Sequence, residues 1–175
     1  EVLPSIVDKG IDCIEFHAMG LDEEEITSKW EYINDNYEGI LSICTSRGKL
    51  SDEALIKRIK TMIKDRKPYT TIIQADGFPM SGGEDDYKTT LQAVATAEIV
   101  QNANLPVYLI LSGGTNSKTT ELAKMCNIKY SGVAIGSYAR KIVKRWVERS
   151  DFWTNPNVVK SALEVAEPLI DSVIL

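Results

Sequence analysis

Cysteine is scarce in this chain and never paired. The three in 175 residues, Cys13, Cys44 and Cys126, lie far apart and form no C-x-x-C motif. That spacing does not fit a disulfide framework and suits a reducing compartment. Nor can three isolated thiols supply a four-cysteine iron–sulfur cluster, and each reads as a small buried hydrophobe. Histidine is scarcer still. His17 stands alone, which excludes a His-rich zinc site, and no metal ligand set is readable. No apolar run approaches the roughly 20 residues needed to span a bilayer, and no signal peptide is visible. Basic excess is missing as well: the formal net charge is −5, which argues against a nucleic-acid footprint over the whole domain. Internal repeats, linkers and low-complexity tracts are absent. Because the chain opens at Glu1 rather than Met, a preceding N-terminal region is expected, and any targeting segment would lie there.

What is present is regular alternation of strand and helix signals. Ile11 to Phe16 is a short apolar run, and Asp22 to Tyr37 reads as a helix with an acidic first turn that suits the helix dipole. Gly39 to Thr45 follows as a strand. Ser51 then caps a helix carrying Leu55, Ile59, Met62 and Ile63 at helical spacing. The β-branched run Tyr69 to Gln74 is a third strand, leading into a long polar loop, Asp76 to Asp86, which reads as a lid, as cation-binding carboxylates or as solvated chain. Thr89 to Gln101 is helical, Val107 to Leu111 a strand, Ser117 to Cys126 a short helix, Tyr130 to Ile135 a fifth strand, and Tyr138 to Val147 a helix. A last helix covers Asn157 to Ile174.

This pattern makes an α/β chain of about five β-α units with parallel strands and right-handed crossovers. The strands are expected to be apolar on both faces. The preferred architecture is the C-terminal five units of a TIM-type barrel, since a closed barrel usually needs about 250 residues. An open doubly wound sheet is the alternative. Residues 1–147 are taken as the barrel-like domain and 148–175 as its C-terminal helical extension.

The barrel preference rests on two glycine-marked strand ends. Leu111-Ser112-Gly113-Gly114-Thr115 and Ile135-Gly136-Ser137 each end an apolar strand and open a helix. Glycine lets backbone N–H groups approach a ligand, and a helix N-terminus favours an anion. Barrels commonly place a phosphate site after their last two strands. Ser112, Gly113, Gly114, Thr115, Gly136, Ser137 and Arg140 are therefore candidate binding residues for a phosphate or flavin mononucleotide (FMN). Arg140, in the first turn of its helix, is placed to reach such a phosphate. Arg140, Lys141, Lys144 and Arg145 form a basic cluster that reads equally as a charged helix face.

Catalytic candidates sit at the strand ends. Glu15 and His17 share one face of the first strand, Gln74 and Asp76 one face of the third, and Arg47 follows the second. A mouth holding these groups suits acid–base work, or equally a polar rim in which each satisfies the other. Glu84-Asp85-Asp86 reads as solvated charge before a helix, and Trp30, Trp146, Phe152 and Trp153 as packing aromatics.

The strings Gln74-Ala75-Asp76-Gly77-Phe78-Pro79-Met80-Ser81-Gly82, Leu111-Ser112-Gly113-Gly114-Thr115-Asn116 and Gly132-Val133-Ala134-Ile135-Gly136-Ser137-Tyr138-Ala139-Arg140-Lys141 together resemble the C-terminal region of the light-dependent-period family of cyanobacteria and plastids. Ile14-Glu15-Phe16-His17 is similar to an early strand of that region. The likeness covers most of positions 11 to 145. It implies a redox-responsive iron–sulfur regulator that feeds light and metabolic state into the circadian clock. Its cluster ligands are expected outside this segment, and its setting in a cyanobacterial cytoplasm or plastid stroma. Two functions remain open. One is a regulatory or assembly subunit of a larger chain or multi-subunit complex, with no catalysis of its own. The other is a flavin- or phosphate-binding oxidoreductase on a barrel scaffold.

Overall fold

The computed structural model describes residues 2–18, 22–77 and 84–174. Its elements, in chain order, are α1 (Val2–Val7), β1 (Cys13–His17), α2 (Glu23–Asn36), β2 (Ile40–Thr45), α3 (Asp52–Ile63), β3 (Thr71–Asp76), α4 (Tyr87–Asn102), β4 (Tyr108–Ser112), α5 (Thr119–Met125), β5 (Gly132–Val133), α6 (Ser137–Val147) and α7 (Pro156–Asp171). Local chemistry explains most helix starts. Asp22 accepts from the Glu25 N–H, Ser51 from Ala54, Asp86 from Thr89 and Asn155 from Asn157, each satisfying a donor that has no partner within its helix.

The sheet is parallel throughout, with strand order β1-β2-β3-β4-β5. That order bears on both expected architectures. A doubly wound sheet reverses its strand order at a switch point, and this one never reverses. Successive right-handed crossovers in a single direction lay every crossover helix on one face. Among the described residues the sheet is also open: β1 pairs only with β2, and β5 only with β4. What the structure displays is an open α/β fold, one arc of parallel strands rather than a closed barrel.

The helix-covered face holds Phe16, Leu41, Ile43, Ile73, Ala75, Leu109 and Leu111, packed with Ile26, Trp30, Leu55, Ile59, Met62, Val94, Ala97, Val100 and Ala123 in one continuous core. Strand register places Glu15 beside Ser42, His17 beside Cys44, Cys44 beside Gln74, and Asp76 beside Ser112 on the other face. The expectation of strands apolar on both faces therefore fails toward their C-terminal ends. Alternation puts the aliphatic set under the helices, while the opposite face carries Ile40, Ile72, Tyr108 and Ile110 lower down and the polar set at its C-terminal rim. Arg66 locks the N-terminal end of the sheet by donating to Thr71 Oγ1, Asn34 Oδ1 and the carbonyls of Gly39 and Thr70.

Several boundaries differ from expectation, and one helix is added; α7, for example, ends at Asp171 rather than Ile174. The fifth strand shrinks to two residues, because Gly132 and Val133 are the positions that pair with Ile110 and Leu111. The helix expected from Ser117 starts at Thr119, since Asn116 and the Thr119 hydroxyl form a turn ahead of it. Helix α1 carried no recognisable signal in its six residues. Helix α7 packs on α6 and buries Val158, Ala162 and Leu169. Among the described residues no helix is long and apolar enough to cross a membrane.

Candidate functional site

The polar sheet face brings together residues that lie far apart in sequence. His17 Nε2 sits 2.6 Å from Glu15 Oε1, an i,i+2 contact possible because both side chains leave β1 on the same side. Gln74 on β3 reaches across β2, donating to Glu15 Oε2 at 2.5 Å and to Ser42 Oγ at 2.9 Å. Glu15 and His17 keep about half of their side-chain surface in solvent, whereas Cys44 and Asp76 are buried at 2 % and 1 % exposure. The acid–base pair is thus accessible, with a closed floor beneath it.

That floor is electrostatically unusual. Burial pushes the Asp76 carboxyl above its ordinary value, while the neighbouring Ser112 hydroxyl, the Cys44 thiol and His17 act the other way. Neither Asp76 oxygen meets a donor at hydrogen-bonding geometry. Burial, followed by the charges of Asp76 and Glu15, pushes the Cys44 thiol far up. An ionised carboxylate with no bonded partner in a dry site carries a cost of several kcal/mol, which is why such groups cluster at functional positions.

The expected catalytic set is assembled in part. Glu15, His17 and Gln74 form one hydrogen-bonded group, with Asp76 beneath it through Cys44. Arg47 does not join them. It pairs with Asp52 at 3.0 Å and lines a cavity of about 440 Å³ with Lys49, Gln92 and Thr96. Cys44 is the residue that the sequence reading left out. Its signal was the polar alternation on successive strands: Glu15 and His17, Ser42 and Cys44, Gln74 and Asp76, then Ser112.

The glycine turns have identifiable structural duties. Gly113 has φ +62° and touches Gly77, whose N–H donates to the carbonyls of Ser112 and Gly113. A Cβ on Gly113 would lie 3.0 Å from Gly77 N, 3.1 Å from Gly77 O and 3.2 Å from Asp76 Oδ1. Gly114 follows with φ +74°, so two consecutive residues sit in the left-handed region that glycine tolerates. The Thr115 hydroxyl donates to Ala134 O, and the Asn116 amide to the carbonyls of Glu84 and Asp86. At the second turn, the Arg140 guanidinium folds back over Gly136, 3.5–4.0 Å from where a Cβ would stand, with Nη2 3.4 Å from Ser137 Oγ.

The acidic triplet is likewise structural rather than merely solvated. Asp86 caps α4, Asp85 accepts from the N–H and hydroxyl of Ser117, and Glu84 pairs with Lys141 at 2.9 Å. The loop between β3 and α4 is thereby tied to α5 and α6. Phe78 to Gly83, the middle of the loop Asp76 to Asp86 expected as a lid, as cation-binding carboxylates or as solvated chain, lies outside the described residues.

A family model described as Light dependent period A C-terminal domain matches residues 5–172. Among curated proteins, Light dependent period A of Synechococcus elongatus is 26 % identical over 184 aligned residues, covering 97 % of this chain and 51 % of the relative. The chain spans about half the length of the curated relative it matches. No solved structure matches it.

Proposed function

The chain belongs to the Light dependent period A C-terminal domain family, and from that premise we propose that it is a regulatory or assembly module, non-catalytic by itself, within a circadian-input protein. The carrying observation is the one-sided sheet. Helices cover one face, while the other bears Glu15, Ser42, Cys44, Gln74, Asp76 and Ser112, and both edge strands keep unpaired ladder groups. Unpaired edges are templates for further strands. In this reading the sheet is an arc of a barrel, completed by a further segment of a longer chain or by a partner subunit, and the partner-facing surface is the polar face with the β1 edge. Iron–sulfur ligands lie outside this chain, whose three cysteines are dispersed, and the setting is a cyanobacterial cytoplasm or plastid stroma. The glycyl and acidic loop contacts support this function, since they spend the loop residues on holding the sheet's C-terminal rim rigid.

Thiol accessibility tests the reading. Cys13 on the β1 edge and Cys126 after α5 are both exposed. A maleimide should label both in the isolated chain at dilutions that keep it monomeric, and at higher concentration the isolated chain should self-associate. In the full-length protein Cys13 should become protected while Cys126 stays reactive. A monomeric isolated chain, together with equal labelling of Cys13 in both contexts, overturns the proposal.

A second reading, a phosphate- or FMN-binding enzyme, is favoured by the placement of Arg140 over Gly136 and Ser137 at the N-terminus of the 11-residue α6. A helix N-terminus plus a guanidinium is an anion-binding combination. A yellow flavin chromophore that disappears in Arg140→Ala would support it. A colourless protein with no bound phosphorylated molecule in native mass spectrometry would remove it.

A further inference from the structure

The Glu15, His17 and Cys44 side chains present an oxygen, a nitrogen and a sulfur whose ligand atoms all lie within 4.8 Å of one another. Sheet register builds this arrangement. His17 and Cys44 are direct partners across β1 and β2, and Glu15 lies one face-repeat earlier on β1. A divalent ion with tetrahedral bonds of about 2.0–2.3 Å holds its donors about 3.3–3.6 Å apart. The 2.6 Å contact between Glu15 and His17 is therefore slightly closed, and the sulfur lies within 4.8 Å of both. Small rotations of these two half-exposed side chains bring the set to that spacing. Carboxylate, imidazole and thiolate together suit a borderline transition metal and disfavour magnesium or calcium, which take all-oxygen sets.

Asp76 supplies an independent indication. It lies against Cys44 and is 1 % exposed, and its only polar side-chain neighbours of hydrogen-bonding kind, the Ser112 hydroxyl and the Cys44 thiol, fall short of full hydrogen-bond geometry. A cation at the Cys44 sulfur would compensate that buried carboxylate. Gln74, bonded to both Glu15 and Ser42, holds Glu15 as supporting groups hold metal-bound carboxylates.

We propose that Glu15, His17 and Cys44 bind a zinc-class divalent transition-metal ion at the C-terminal rim of β1 and β2, with Asp76 as the buried counter-charge and an open coordination position facing solvent. Binding releases the Cys44 thiol proton to water. Neutral His17 then carries its ring proton on Nδ1, which frees Nε2 for the ion. The open position gives the regulatory face a point at which a partner carboxylate, imidazole or thiolate completes the shell. The ion site needs only this chain, so it stands or falls separately from the partner surface.

Cobalt(II) is the probe. The metal-stripped full chain, titrated with Co2+, should develop a thiolate-to-cobalt charge-transfer band and the visible bands of a low-symmetry four-coordinate ion, and Zn2+ should bleach both. Cys44→Ser should abolish the charge-transfer band, while Cys13→Ser and Cys126→Ser leave it unchanged. Glu15→Gln and His17→Gln should each weaken Co2+ binding by about tenfold or more. Because His17 is half exposed, His17→Gln leaves the core intact and keeps the test decisive even where the buried Cys44 variant misfolds. Absence of the band in the parent chain, its persistence in a folded Cys44→Ser chain, unchanged affinity in His17→Gln, or its loss in Cys13→Ser overturns the assignment.

Discussion

Replacing Gly113 with alanine separates the two duties that a glycine at a strand end can have. In a ligand cradle the new methyl group would block a phosphate and leave the fold nearly unchanged. In the observed geometry it instead meets the chain itself. The residue sits at φ +62°, where an L side chain costs about 1–2 kcal/mol. The added carbon would also stand 3.0 Å from Gly77 N and 3.2 Å from Asp76 Oδ1. Backbone cannot swing aside as a flexible side chain does, so overpacking adds roughly 1–3 kcal/mol. The sum is about 2–5 kcal/mol, or roughly 5–15 °C in melting temperature for a chain of this length. Gly10 provides the internal control. It has φ +72°, and nothing lies within 4 Å of its Cβ position, so Gly10→Ala should cost only the conformational part, about 1 kcal/mol. Urea denaturation of the two variants beside the parent measures the difference. Equal losses for Gly10→Ala and Gly113→Ala would refute the claim that Gly113 exists for the contact with Gly77 and return it to the ligand-binding reading.

In metal-stripped protein, Asp76→Asn should raise stability at neutral pH. Burial holds the Asp76 carboxyl above its ordinary 3.8, so the fold prefers the protonated form. That preference is fully present below pH 3.8 and is lost as pH rises through the higher folded-state value. The advantage of the neutral asparagine should therefore grow with rising pH and shrink in acid, and an advantage constant from pH 3 to 8 would contradict the assignment. Arg66→Ala should destabilise by roughly 2–4 kcal/mol, because it removes the donor to the Gly39 carbonyl, Asn34 Oδ1 and Thr71 Oγ1 at the base of β2 and β3, while Thr70 O keeps the Leu41 N–H. A chemical-denaturation midpoint within error of the parent would show that water replaces the guanidinium there.

Much of the local structure was legible in the sequence. Asp22 and Ser51 announce helix starts because capping is a contact within three residues, and the buried stripes of α2 and α3 follow from spacing along a single helix. The pairing of faces was legible too: Glu15 with His17 and Gln74 with Asp76 follow from strand alternation alone. The cap at Asp86 escaped notice, since one acid among three shows nothing locally to single it out as the one whose oxygen turns back to Thr89.

Sequence by itself determined the α/β alternation, the parallel strands and which residues of each strand travel together, because these depend on periodicity within a segment. Tertiary structure alone decided the rest. The five described strands run in unreversed order, and the register of β1 against β2 sets His17 beside Cys44 across 27 positions of chain. The fold also gave Gly113 to Gly77 instead of an open cradle, and left Asp76 buried without a partner. Each of these depends on how one crossover places a strand against the next, and that placement is fixed by the packing of the helices over the covered face.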